Sequence, residues 1–206
     1  MKTKKDLVIP FSWEERRPIL LDRFFYVPKQ YDHKEDRMSL EGPLFMEICS
    51  GNGQWVGEKA KKHPEITWLA VEMDFQRARK IWLKSFRENI PNLLVVCAEA
   101  SAFVRYYAPV VEEAYVNFPD PWPKRCHGKH RLIWAPFVQL LQKVVKKKAT
   151  LVTDDEPYCQ QMVREFAKAG GWQRDEWLPE EYGASFFGDL WRERGREIFY
   201  LRYIPK

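Results

Sequence analysis

From residue 43 onward, short apolar runs alternate with segments of helical apolar spacing, and this alternation limits the fold more than any single residue does. Residues 44–49 form an apolar run that stops at Ser50-Gly51-Asn52-Gly53, and residues 54–62 then carry a helical pattern closed by His63-Pro64. A second strand is predicted over residues 67–72, followed by a helix over 75–88 with apolar positions at Ala78, Ile81, Trp82 and Leu83. Residues 92–97 read as a third strand, with a short helix near 100–106. A fourth strand, 114–118, runs into a basic, proline-rich loop, 119–130, before a helix over 132–145. A fifth strand, 149–153, precedes a helix over 156–169. The tail holds a segment 172–178, a loop 185–195 and a last strand 198–204. Such alternation predicts a doubly wound, mostly parallel α/β sheet that takes its ligands at the carboxyl ends of the strands.

A chain of 206 residues with 45% hydrophobic content can bury one sizeable core. We therefore expect one principal domain, residues 43–206, preceded by an N-terminal extension, residues 1–42, that is charged and aromatic. Phe24-Phe25-Tyr26 in that extension reads as a packing contact, since clustered aromatics usually bury themselves. No apolar run approaches the roughly 18 residues of a membrane span, and the basic start lacks the apolar stretch of a secretory signal. A cytoplasmic protein with no membrane partner is expected. Cys49, Cys97, Cys126 and Cys159 are scattered and form no C-x-x-C pair, so reduced thiols are expected. A net charge of +5 permits a polyanionic partner without demanding one.

The turn after the first strand is the first candidate site. Glycines there let the backbone turn sharply and approach a ligand, and Glu72, ending the second strand about 20 residues on, is placed to accept from the two hydroxyls of an adenosine ribose. The constellation fits a dinucleotide or S-adenosylmethionine. Val56 stands where a dinucleotide fingerprint would need a third glycine, and Glu47 beside the loop suits a cationic ligand better than a pyrophosphate. The same residues would also serve a plain tight turn with a solvated strand-end charge. Glu99, after the third strand, is either an adenine contact or a helix N-terminal residue balancing the macrodipole.

The loop after the fourth strand is more specific. In Asn117-Phe118-Pro119-Asp120-Pro121-Trp122-Pro123-Lys124, three prolines restrict the backbone and so present Asp120 in a fixed geometry. Trp122 offers a stacking face, and Lys124, Arg125, Lys129 and Arg131 supply cations for phosphates. Cys126, His127 and His130 do not make a four-ligand tetrahedral set, so no metal is expected. Lys2, Lys4, Lys5, Arg16 and Arg17 at one end, and Arg192, Arg194 and Arg196 at the other, could extend a nucleic-acid footprint or remain solvated surface.

Together, Glu47-x-x-x-Gly51-x-Gly53, Glu72, the run from Asn117 to Lys124 and Thr153-Asp154-x-x-x-Tyr158 resemble the TrmB family of bacterial tRNA (guanine-N7)-methyltransferases, from about Leu44 to the C-terminus. The resemblance implies a Rossmann-like methyltransferase fold whose doubly wound, mostly parallel sheet has an antiparallel C-terminal strand. It implies S-adenosylmethionine as methyl donor and, as acceptor, N7 of the variable-loop guanine, position 46, of tRNA. Carried over, Glu47, Gly51, Gly53, Glu72, Glu99 and Asp120 bind the cofactor, Asp120 is also catalytic, and Lys124, Asp154 and Ser185 contact substrate. No metal is implied, and monomer and homodimer both stay open. Glu99 replaces the family's usual Asp. Cys49 replaces its first turn glycine, a change of little consequence where the backbone is ordinary. Ser185-Phe186-Phe187-Gly188 stands where the family has Thr-x-x-Glu, so Ser185 is carried over and the Glu has no match, Asp189 falling one position late.

Overall fold

The computed structural model describes residues 2–29, 36–176, 182–183 and 185–206, and the chain divides into two units, Met1–Pro109 and Val110–Lys206. Residues 30–35 of the N-terminal extension, and residues 177–178 of the tail segment, lie outside the described residues.

In the first unit, β1 (Ile19–Leu21) and β2 (Phe24–Tyr26) precede β3 (Leu44–Ile48), α1 (Gln54–Lys62), β4 (Thr67–Glu72), α2 (Phe75–Arg87), β5 (Leu93–Cys97) and α3 (Ala100–Tyr106). β3, β4 and β5 pair in parallel, β2 adds in parallel to β5, and β1 closes the edge antiparallel to β2. Every residue of β5 is buried, as a parallel strand covered on both faces requires. The crossovers through α1 and α2 step in the same direction, so right-handed connections place both helices on one face, where they pack on β4 and on each other. Asp74 starts α2 by accepting the Arg77 N–H at 2.8 Å.

The aromatic segment before residue 43 does more than pack. Phe24-Phe25-Tyr26 is itself a strand, and the Arg23 and Cys97 carbonyls accept from Val95 and Val27 at 2.8 and 2.9 Å, which ties it into the β5 ladder. Phe24 is fully buried, edge-on to Phe75 at 5.9 Å, and the Trp82 indole donates to the Asp22 carbonyl at 2.9 Å.

The second unit holds β6 (Val111–Asn117), α4 (Ala135–Val144), β7 (Val145–Thr153), α5 (Glu156–Ala169), β8 (Trp172–Asp175), α6 (Phe186–Glu193) and β9 (Phe199–Pro205). β6 and β7 are parallel, whereas β9 pairs antiparallel with both β7 and β8. β6 and α4 start at Val111 and Ala135 rather than at residues 114 and 132, and two further elements differ more from the sequence expectation. β7 begins at Val145 rather than residue 149, because Lys146, Lys147 and Lys148, which look like a solvated helix end, pair at 3.1–3.2 Å with Glu112 and Glu113 of the neighbouring strand. The loop expected over 185–195 contains α6. Ser185 starts that helix by accepting the Gly188 N–H at 3.1 Å, and a glycine and an aspartate in its first turn hide the helical pattern.

Cys49 is not in an ordinary conformation. Its φ is +65°, the left-handed region that favours glycine. Gly53, also left-handed at φ +67°, has no room for a side chain, since a Cβ there would lie 2.8 Å from Ile81. We predict that Cys49→Gly raises stability by about 0.5–1 kcal/mol and Gly53→Ala lowers it by about 2 kcal/mol or more, read from urea midpoints at constant m value. A lowered midpoint for Cys49→Gly would contradict the strain assigned to the turn.

Candidate active site

The first unit sets carboxylates around the turn. β3 and β4 lie in parallel register, with Glu47 opposite Ala70, so the buried Glu47 and Glu72 sit near the carboxyl ends of adjacent strands, 2% and 5% exposed. Ser50 anchors the turn through its N–H to the Val71 carbonyl at 3.1 Å and its hydroxyl to the Glu47 carbonyl at 3.1 Å. Glu72 binds the turn directly, as the Gly51 N–H donates to Oε2 at 2.8 Å and the Asp74 N–H to Oε1 at 2.9 Å. Burial pushes the Glu72 carboxyl above the usual range, and those two backbone donors work against that shift. Each oxygen keeps a second lone pair for a hydroxyl donor.

Two buried carboxylates at one sheet edge favour a cationic ligand over an anionic one, because opposite charges attract strongly where water is excluded. Met73, 58% exposed directly after Glu72, adds an apolar surface that sequence reading passed over. Glu99 holds the N-cap position of α3 but makes no side-chain cap bond, which leaves its exposed carboxylate to solvent or ligand. Burial, aided by the Glu72 charge, pushes the Cys97 thiol up to about 12, so it is no nucleophile. Val56, in the third-glycine position of a dinucleotide fingerprint, is fully buried in α1.

The second unit carries the proline loop. Phe118 and Trp122, at φ +47° and +42°, flank the exposed Asp120. Non-glycine residues hold this region only where their surroundings enforce it. The Phe118 N–H is tied to the Val152 carbonyl at 2.9 Å, and beside Trp122 the loop is held by Arg131, whose Nε donates to the Pro121 carbonyl at 2.6 Å and whose Nη1 donates to Gln161 at 2.6 Å, the guanidinium lying 4.8 Å from the Tyr158 ring centre. Tyr158 in turn accepts the Ile133 N–H at 3.0 Å, and Gln161 donates to the Ile133 carbonyl at 3.1 Å. Arg131, expected as a phosphate ligand, is thus committed to the loop, and no sequence signal separates it from its basic neighbours.

Lys124 precedes the short 3₁₀ turn Arg125–His130 and is exposed, as is Lys129. Trp122 is 37% exposed, with the His130 and His127 rings at 5.2 and 5.8 Å. Asn117, at the end of β6, accepts from the Tyr182 hydroxyl, a buried contact the sequence gives no sign of. Asp154 follows β7 and pairs with Arg196 at 2.5 Å. Ser185 is buried and spends its hydroxyl on the α6 cap, beside Phe118, whose ring would lie 3.7 Å from a Cβ placed on Gly188.

Other basic residues proposed for a footprint already have anionic neighbours, Lys2 with Asp22, Arg17 with Glu15 and Arg192 with Asp189 at 2.9, 3.0 and 3.2 Å. Exposed pairs of this kind are weak and would exchange readily for phosphate. Among the described residues, no group of three His, Cys, Asp or Glu could hold a metal ion, and no helix is long and apolar enough to cross a membrane.

Residues 41–201 match the family described as "Putative methyltransferase". A protein of Chlamydia pneumoniae named tRNA (guanine-N(7)-)-methyltransferase is 40% identical, over 98% of this chain and 97% of its own length. A protein of the same name from Limosilactobacillus reuteri is 32% identical over 57% of this chain and 55% of its own. Among solved structures, the 16S rRNA methyltransferase KamB superposes with a TM-score of 0.59 at 18% identity, covering 80% of this chain and 88% of that one. The aminoglycoside resistance methyltransferase NpmB1 gives 0.55 at 17% identity, over 80% and 87%. These likenesses show the Rossmann-like methyltransferase fold, mostly parallel with antiparallel C-terminal strands.

If Arg131 fixes the loop, Arg131→Ala will cost about 2 kcal/mol of stability and speed amide exchange over residues 118–131. Arg131→Lys, which keeps the charge but loses the planar fork, will not restore protection. Unchanged exchange in Arg131→Ala would show that the prolines suffice, and protection kept by Arg131→Lys would show that charge rather than the fork holds the loop.

Proposed function

This chain belongs to the tRNA (guanine-N(7)-)-methyltransferase family, and we propose that it transfers the methyl group of S-adenosylmethionine to N7 of the variable-loop guanine, position 46, of tRNA in the cytoplasm. The observation that carries the cofactor half is the buried pair Glu47 and Glu72 at the strand ends, with Glu72 bonded to the Gly51 and Asp74 amides. The donor set fits the ligand: Glu72 accepts from ribose hydroxyls, Glu47 faces the positive amino-acid and sulfonium end, and Met73 with Glu99 serves the adenine. When bound, S-adenosylmethionine supplies an electrophilic methyl on a positively charged sulfur.

The chain's own residues then have a limited task. Guanine N7 carries an in-plane lone pair and no proton, so no general base is needed. What the protein supplies is orientation of the base and negative charge to offset the positive charge the base acquires. Asp120, held by the strained and clamped loop, serves as the catalytic carboxylate and a further cofactor contact. Asp154 accepts from the guanine N1 and N2 hydrogens, Ser185 lies beside the same base, and Lys124 contacts the tRNA backbone.

Calorimetry with S-adenosylhomocysteine will give binding to the wild type that Glu72→Ala weakens at least about tenfold. Asp120→Ala will lower kcat by about 100-fold or more while tRNA affinity stays within about threefold, because phosphate contacts dominate binding. Lys124→Ala will weaken tRNA binding and lower its salt slope by about one. Retained turnover in Asp120→Ala would remove it from the mechanism, and NAD binding in place of S-adenosylhomocysteine would overturn the cofactor reading.

A further inference from the structure

The Asp154–Arg196 pair has a chemistry that matches the substrate. Asp154 has a side chain only 9% exposed, a setting in which a carboxylate without a cation is unfavourable, and Arg196 Nη1 meets its Oδ2 at 2.5 Å. The Arg196 side chain is 52% exposed, so it can leave the carboxylate without unpacking any core. Its chain segment is folded back at the end of α6, with the Gly195 and Arg196 N–H groups donating to the Arg192 and Trp191 carbonyls at 2.9 Å each. The guanidinium lies 4.2 Å from the Trp191 ring centre, and that of Arg194 lies 5.2 Å from the same ring. Trp191 therefore offers the guanidinium a second contact that does not depend on Asp154.

A guanidinium is a carbon bearing three nitrogens whose N–H groups form a planar fork suited to a carboxylate. The N1–H and 2-amino group of guanine, with C2 between them, are the same fork in a neutral ring. Adenine presents an acceptor at N1 and has no such fork. We propose that Arg196 is a placeholder for guanine: its guanidinium occupies Asp154 until the base arrives, then yields the carboxylate and, still stacked near Trp191, turns to the RNA backbone. This rests on Asp154 reading guanine. Arg196 is then a positioning residue, which keeps Asp154 aimed and whose own departure is part of substrate binding.

A placeholder competes with the ligand it mimics, so the sign of a substitution separates it from a purely supporting residue. Guanosine, which has no phosphate, is the probe, titrated into the full chain with S-adenosylhomocysteine present and followed by the NMR shift of the Trp191 indole N–H. Arg196→Ala is expected to tighten guanosine roughly two- to tenfold, the range for release of a competing ion pair, with no change for adenosine. The same variant is expected to lower the salt slope of tRNA binding by about one. In an Asp154→Asn background the substitution should no longer affect guanosine. Arg196→Ala leaving guanosine unchanged, or weakening it, while Asp154→Asn weakens it, overturns the placeholder and spares the guanine reading of Asp154. Guanosine binding that Asp154→Asn leaves unchanged overturns both.

Discussion

The carboxylate of Glu72 is the interaction on which the first unit's site depends. It is buried at the end of β4, and two backbone donors, the Gly51 and Asp74 amides, each hold one of its oxygens. One of those donors fixes the turn after β3; the other fixes the residue whose own side chain starts α2. A single acidic side chain thus locks the backbone that must approach a ligand and leaves lone pairs for that ligand. The strain this geometry carries is visible at Cys49, a side-chain-bearing residue in a left-handed conformation.

The second unit solves a similar problem with a cation. Asp120 projects from a loop with positive φ on both sides, and the Arg131 fork grips the carbonyl next to it. Arg131 is a residue whose chemistry suggests phosphate and whose geometry assigns it to scaffolding. Arg196 shows the converse, a surface arginine that covers an acidic group with the donor pattern of the proposed substrate.

Much of this was legible in the sequence because it is local. The helices 54–62, 100–106 and 156–169 and the strand 67–72 have the bounds that apolar spacing predicts, and the turn and proline loop carry their chemistry in adjacent residues. What the sequence hid depends on partners far along the chain. Lys146 to Lys148 extend β7 because Glu112 and Glu113 face them, and Phe24 to Tyr26 form a strand because β5 offers an edge. A capping serine outweighs a glycine in the first turn of α6, and the partners of Arg131, Tyr182 and Arg196 are set by tertiary packing alone.

The most direct test of the account is chemical mapping of the product. Wild-type protein is incubated with labelled S-adenosylmethionine and unmodified tRNA, and the RNA is then cleaved at N7-methylguanine. The account predicts one labelled position, the variable-loop guanine, with strand cleavage there. Label incorporated without cleavage at that guanine, or cleavage elsewhere, would contradict it.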